Sequence, residues 1–123
     1  WTTMGHLYKG GMWFKKKSQI IGYNSNTAVD GTDWRTNQNQ NNWSASSTLP
    51  SAADAGNYFY LPTLGFYGGG GQLVDLLYSG RYWSSSAYPQ DSDRAYYLQL
   101  SSGRVYVGSL FRDHGLRVEP TFE

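Results

Sequence analysis

The sequence contains no cysteine, so neither a disulfide framework nor a thiolate metal site can form, and the redox compartment stays unread. Charge is scarce as well. Asp, Glu, Lys and Arg make up 15% of the chain, against about 25% in ordinary domains. Ten basic and nine acidic side chains leave a net charge of +1, which creates no field that favours nucleic acid or an anionic membrane. No apolar run approaches the roughly 18 residues needed to cross a bilayer, so membrane insertion is not expected. The first residue is Trp1 rather than an initiator Met, with no signal-like segment after it. The expectation is a piece of a longer protein whose preceding part carries any anchor. A more local gap lies towards the end of the chain: between Ser84 and Val118 there is no Lys, Glu, Met or Trp, and Gln occurs only at Gln90 and Gln99.

Aromatic and small residues are abundant instead: 11 Tyr, 5 Trp and 15 Gly, with aromatics at 17%. Tyr brings large amphipathic area at low entropic cost, and a charge-poor surface rich in Tyr, Ser and Gly is the kind that antibody-like binding sites use. The competing reading is that these rings pack a β-rich core. At 123 residues and 13.8 kDa the chain reads as a single domain, residues 1–123, large enough to bury a core without disulfides.

Taken in order, residues 5–9 and 12–15 read as strands around a Gly10-Gly11 turn. The Lys15-Lys16-Lys17 run reads as a solvated edge that discourages strand pairing rather than as a phosphate contact. Residues 22–48, dominated by Asn, Thr, Ser and Gln, read as one long loop pinned by Trp34 and Trp43. Within it, Asp30-Gly31-Thr32-Asp33 offers oxygen ligands at alternating positions, as a calcium loop does. The position that should hold a bidentate Glu is Asn41, however, so an ordinary Asp-Gly turn is expected. Residues 51–56 suit one short helical turn, and residues 58–61 a strand ending at Pro62. The glycines at 68–71 are followed by no Lys-Ser or Lys-Thr pair and read as a connector, not a nucleotide loop. Residues 72–78 read as a short strand or a single turn.

From residue 80 to 120 an ordered frame carries chemically mixed contents. Alternation places Tyr96, Leu98 and Leu100 on one face of a strand and Tyr97 and Gln99 on the other. Ser101-Ser102-Gly103 makes a turn, after which Val105 and Val107 suit a core face while Arg104 and Tyr106 face away, giving a hairpin. Leu116-Arg117-Val118 repeats the pattern once more.

The frame GxYWSSS from Gly80, AxxLxLxSGxV from Ala95 and RxxGLRVEP from Arg112, with YLPTLGFY from Tyr60 as a weaker upstream anchor, resembles the C-terminal variable region of proteins diversified by diversity-generating retroelements, many from gut Bacteroides and their phages. The resemblance covers about the last half of the chain. It implies a C-type lectin fold, α+β in class but β-rich with long loops and little helix, and a variable region at about residues 83–120. In that family randomised adenines scatter codons into a set without Lys, Glu, Gln, Met or Trp, which agrees with the local gap if Gln90 and Gln99 are fixed. The implied ligand surface consists of Tyr88, Asp91, Asp93, Arg94, Tyr97, Arg104, Tyr106, Gly108, Ser109, Leu110, Phe111, Asp113 and His114. The implied scaffold consists of Trp83, Leu98, Leu100, Val105, Arg112 and Gly115, with Trp83 buried. The family closes with GFSVRPV where this chain has Gly115-Leu116-Arg117-Val118-Glu119-Pro120, so the partners of the final strand stay open. The implied function is recognition of a protein or glycan ligand on a cell surface, by a domain displayed on a cell surface or a virion such as a phage tail. The alternative is a non-variable adhesin or pilus-tip structural domain of the same fold.

Chemistry is not expected. Formylglycine-generating oxidases share the broad fold but need cysteines. Ser84-Ser85-Ser86 sits in no nucleophile elbow, and the only histidines, His6 and His114, have no ligand spacing, so no cofactor or metal is implied. The serine hydroxyls are expected to satisfy backbone groups at a strand end. Glu119-Pro120 approaches the sugar and calcium motif of true C-type lectins, but Thr121 stands where Asn belongs.

Overall fold

The computed structural model describes residues 2–3, 6–7, 9–28, 30–33, 36 and 41–118. In chain order its strands are β1 (Thr2–Thr3), β2 (His6–Leu7), β3 (Gly11–Lys15), β4 (Asn41–Ser44), β5 (Tyr58–Pro62), β6 (Leu64–Tyr67), β7 (Leu73–Leu76), β8 (Ser79–Ala87), β9 (Arg94–Ser101) and β10 (Arg104–Phe111). The helical content among the described residues is limited to 3-10 turns at Lys17–Gln19 and Ala55–Asn57. A six-stranded mixed sheet in the order β4-β10-β9-β8-β6-β7 is accompanied by two-stranded β3-β5 and β1-β2 sheets. The chain is therefore β-rich, and the α component of the expected class is absent from the described residues.

The hairpin of β9 and β10 follows the alternation that the sequence carries. Leu98 pairs with Val107 and Leu100 with Val105, which puts all four on one face and sends Tyr97, Gln99, Arg104 and Tyr106 to the other. Gly103 closes the turn at φ +70, a left-handed conformation that a residue without Cβ adopts cheaply. The apolar face meets β3 and β5, whose register, Met12 opposite Leu61 and Phe14 opposite Phe59, presents four apolar side chains. Leu61, Tyr82 and Leu100 form the centre of this core, and the Tyr82 hydroxyl donates to the Pro62 carbonyl. The last residue of β5 is thereby tied to β8.

Strand β6 runs parallel to β8 and meets it at Gly65 opposite Gly80. Further along, residues 115–117 lie between them. Tyr67 and Gly115 exchange N–H···O bonds of 2.9 Å in both directions, Arg117 N–H donates to the Arg81 carbonyl at 3.2 Å, and Trp83 N–H donates to the Arg117 carbonyl at 3.0 Å. The third run thus forms bridges to two different strands instead of a strand of its own.

One expectation is corrected. Residues 22–48 are not a single loop, because Asn41–Ser44 pairs along β10 as the outer strand of the large sheet. Trp43 sits opposite Val105 but is 40% exposed, so it does not act as a buried pin. Trp34, residues 5 and 8 of the first expected strand, and residues 119–121 lie outside the described residues.

Candidate ligand-binding surface

The side of the large sheet turned away from β3 and β5 is built from cross-strand neighbours. Arg81 on β8 pairs with Gln99 on β9, which pairs with Tyr106 on β10; next to them Trp83 pairs with Tyr97, which pairs with Gly108. Phe66 comes in from β6. The Arg81 guanidinium lies 3.7 Å from the Phe66 ring centroid and 5.5 Å from that of Tyr97, and Tyr97 meets Tyr106 edge-on at 5.8 Å. The Tyr106 ring bends over Gly108, where any Cβ would collide with it. Tyr97 and Gly108 are therefore buried, Tyr97 at 7% exposure, and the expectation that both are displayed is corrected. Burial raises the pKa of the Tyr97 phenol, Arg81 draws it back and Tyr106 adds to the rise, so the hydroxyl is neutral at pH 7.

A second group gathers where β8 ends, β9 begins and β10 ends. Arg94 pairs with Phe111 and lays its guanidinium 4.2 Å from that ring's centroid, while its Nε lies 3.4 Å from an Asp91 carboxylate oxygen and its Nη1 donates to Ser109 Oγ at 3.4 Å. The connecting loop is closed by short local bonds. Asp91 Oδ1 accepts from Asp93 N–H at 3.0 Å and the Asp91 carbonyl from Arg94 N–H at 3.1 Å. Arg112 fastens it from the next segment, donating N–H to the Asp93 carbonyl at 2.9 Å and Nε–H to the Arg94 carbonyl at 3.1 Å. Tyr88 packs edge-on against Tyr96 at 5.3 Å. Phe111, at 44% exposure, stands out from this fastened rim.

The residues expected to form one ligand surface thus divide between two sides of the sheet. Tyr97, Arg104, Tyr106, Gly108 and Leu110 alternate onto the outer face, whereas Arg94, Ser109 and Phe111 alternate onto the side of the core, beyond its end. Ser109 is buried as well and accepts the hydrogen bond from Arg94. Arg104, Asp93 and Asp113 are exposed, and Tyr88, Asp91, Leu110 and His114 are half-buried. His114 Nδ1 lies 2.7 Å from Asp113 Oδ1. Of the scaffold set, Leu100 is fully buried and Leu98 packs on the core, with Val105 beside them. Gly115 leaves room for Tyr67, whose Cβ would be 2.9 Å from an added methyl. Arg112 acts through its backbone clasp. Trp83 departs from expectation: it is half-buried on the outer face, because its register partner is Tyr97 rather than a core residue. The Phe66–Arg81 stack was not anticipated, although Arg81 shares the alternation of Trp83.

Ser84 Oγ accepts from Ser86 N–H at 2.9 Å, in line with the strand-end role expected of these hydroxyls. Asp30 forms a closed turn, with Oδ1 accepting from Thr32 N–H at 2.9 Å and Gly31 at φ +84. That bond holds the exposed Asp30 carboxyl below the usual carboxylate range. No group of three or more His, Asp or Glu able to hold a metal occurs among the described residues. Because Asp30 is spent in its own turn and Thr121 replaces the Asn of the lectin calcium motif, a chelator is expected to leave the melting temperature unchanged; a fall in a calorimetric scan would reveal an ion stabilising the native state by mass action. Compared with known family models, curated proteins and solved structures, the chain matches none.

Proposed function

We propose that this chain is a ligand-binding domain of the retroelement-diversified kind, with a C-type lectin-like scaffold, displayed on a cell surface or virion and directed at a protein or glycan on another surface. The observation that carries the reading is the rim. Phe111, the last residue of β10, is an exposed aromatic braced by Arg94, beside a loop whose backbone is already held by Asp91 and Arg112. Preorganisation lowers the entropic cost of binding, and Tyr, Trp and Arg anchors dominate interface energetics.

Phe111→Ala is the test. Surface changes stay within about 0.5 kcal/mol of wild-type stability, so the melting temperature should move by no more than a few degrees. Affinity for a surface protein or glycan selected on an array should drop about thirtyfold, the factor for about 2 kcal/mol. Unchanged affinity would remove the rim from the binding surface. Comparison of the gene across sister strains addresses diversification separately: substitutions clustered at adenine-derived codons beside an invariant frame support it, and an evenly changing sequence counts against it.

A structural adhesin or pilus-tip domain is the second reading, and the β7 edge favours it. Leu73, Leu76 and Leu77 are exposed there, with Tyr67 on the adjoining β6, and Tyr78 reaches 82% exposure, beside a strand that pairs on one side only among the described residues. Such an apolar edge suits contact with a neighbouring subunit.

A further inference from the structure

One half-buried cation on the outer face has no counter-charge. Arg81 makes no ion pair among the described residues, and its Nε is buried without a hydrogen-bond partner. The other arginines described in detail differ from it. Arg94 has Asp91, Arg112 spends its Nε–H on a carbonyl, and Arg104 is exposed to water. A charge taken partly out of water is costly unless paired and hydrogen-bonded, and an external anion at the guanidinium's open end would supply the missing counter-charge.

Its surroundings hold it in a receptive pose. Phe66 and Tyr97 engage the cation through their rings, and with Nε shut away from solvent the terminal Nη1/Nη2 edge is the fork that can meet a carboxylate bidentately. Gln99 stands opposite Arg81 and Trp83 follows on the same side of β8; neither side chain has an internal hydrogen-bond partner among the described residues. The patch therefore combines a fork for an anion, amide and indole donors for hydroxyls, and the half-buried rings of Trp83 and Tyr106 for an apolar sugar face. One guanidinium balances one negative charge, which suits a carboxylate better than a doubly charged phosphate monoester.

We propose that Arg81, with Gln99 and Trp83 beside it, binds the carboxylate of an acidic sugar. This site rests on the binding reading above but uses none of the rim residues, so the two can fail separately.

The experiment is a titration of ¹⁵N-labelled protein with glucuronate, with glucose as the uncharged analogue and glucose 6-phosphate as the tetrahedral anion. Glucuronate should saturably shift the Arg81 Nε–H and Trp83 indole signals, glucose should not, and glucose 6-phosphate should bind more weakly. Arg81→Met, which keeps an apolar stem against Phe66, should lose at least about tenfold in affinity with a melting temperature equal to or above wild type, because an uncompensated charge has been removed. Absence of a saturable glucuronate shift, equal response to glucose or to the phosphate, or retained affinity in Arg81→Met overturns the proposal. A sharply lowered melting temperature in Arg81→Met would assign the residue to packing and overturn it too. Glucuronate binding with a silent Phe111→Ala would leave this site standing and remove only the rim; a sensitive rim with no glucuronate shift would remove only this site.

Discussion

Leu100→Ala should lower the melting temperature by roughly 8–20 °C, at about 4 °C for each of the 2–5 kcal/mol such a truncation costs in a domain of this size. Leu100 is fully buried on β9, with Leu61 and Tyr82 around it and Leu98, Met12, Phe14 and Phe59 packed against that centre. Truncation removes buried methyl groups and leaves a cavity, because β-strands hydrogen-bonded on both sides cannot close in on it. The loss is a large share of the roughly 5–15 kcal/mol that a domain has in total. Thermal and urea melts measure it. A loss below about 1 kcal/mol would mean that the β3–β5 layer is not seated on the large sheet as described.

Gly65→Ala should be at least as damaging, for a different reason. Gly65 has φ +67, and its added Cβ would run into the Val74 carbonyl and lie 3.0 Å from Leu76 N. Those obstacles are backbone atoms of the neighbouring strand, so no side chain can swing aside. A left-handed conformation costs a residue with Cβ about 1–2 kcal/mol, and forced overpacking about 1–3 more. The same glycine also joins β6 to β8. Gly103→Ala is the control: φ is +70 but nothing lies within 4 Å of the added Cβ, so only the dihedral penalty applies. Equal destabilisation of the two variants in urea would show that the strands at Gly65 can part, and that the close approach carries no weight.

The contrast between these positions shows which parts of the fold could be read in advance. The β9–β10 hairpin was legible because period-two alternation records which side of each strand is buried, and the strand ending at Pro62 was legible because proline halts a ladder. Strand β4 was not, since Asn41-Asn42-Trp43-Ser44 has little β-propensity of its own and is held straight by its pairing with distant β10. Alternation also names a face without saying what lies over it. Tyr97 and Tyr106 point outward as expected, yet Tyr97 is buried because Phe66 and Arg81 arrive from other strands and because Gly108 lets the Tyr106 ring lie down. The placement of Ser109 and Phe111 on the side of the core was available in the run Val105, Val107, Ser109, Phe111, had the period been carried to the end of the strand. Arg94 could not be matched to Phe111 before the hairpin register was known.

Residues 115–117, wedged between β6 and β8, impose an order of assembly on the nascent chain. Synthesis runs from the N-terminus, so both walls of this slot leave the ribosome well before its filling does. Until Arg117 has emerged, Tyr67 on one side and Arg81 and Trp83 on the other hold N–H and C=O groups that have no partner within the sheet. Such an open seam recruits strands from other molecules. This later-made segment acts as a zip, and a chain lacking residues 115–117 would be opened through the middle of its principal sheet.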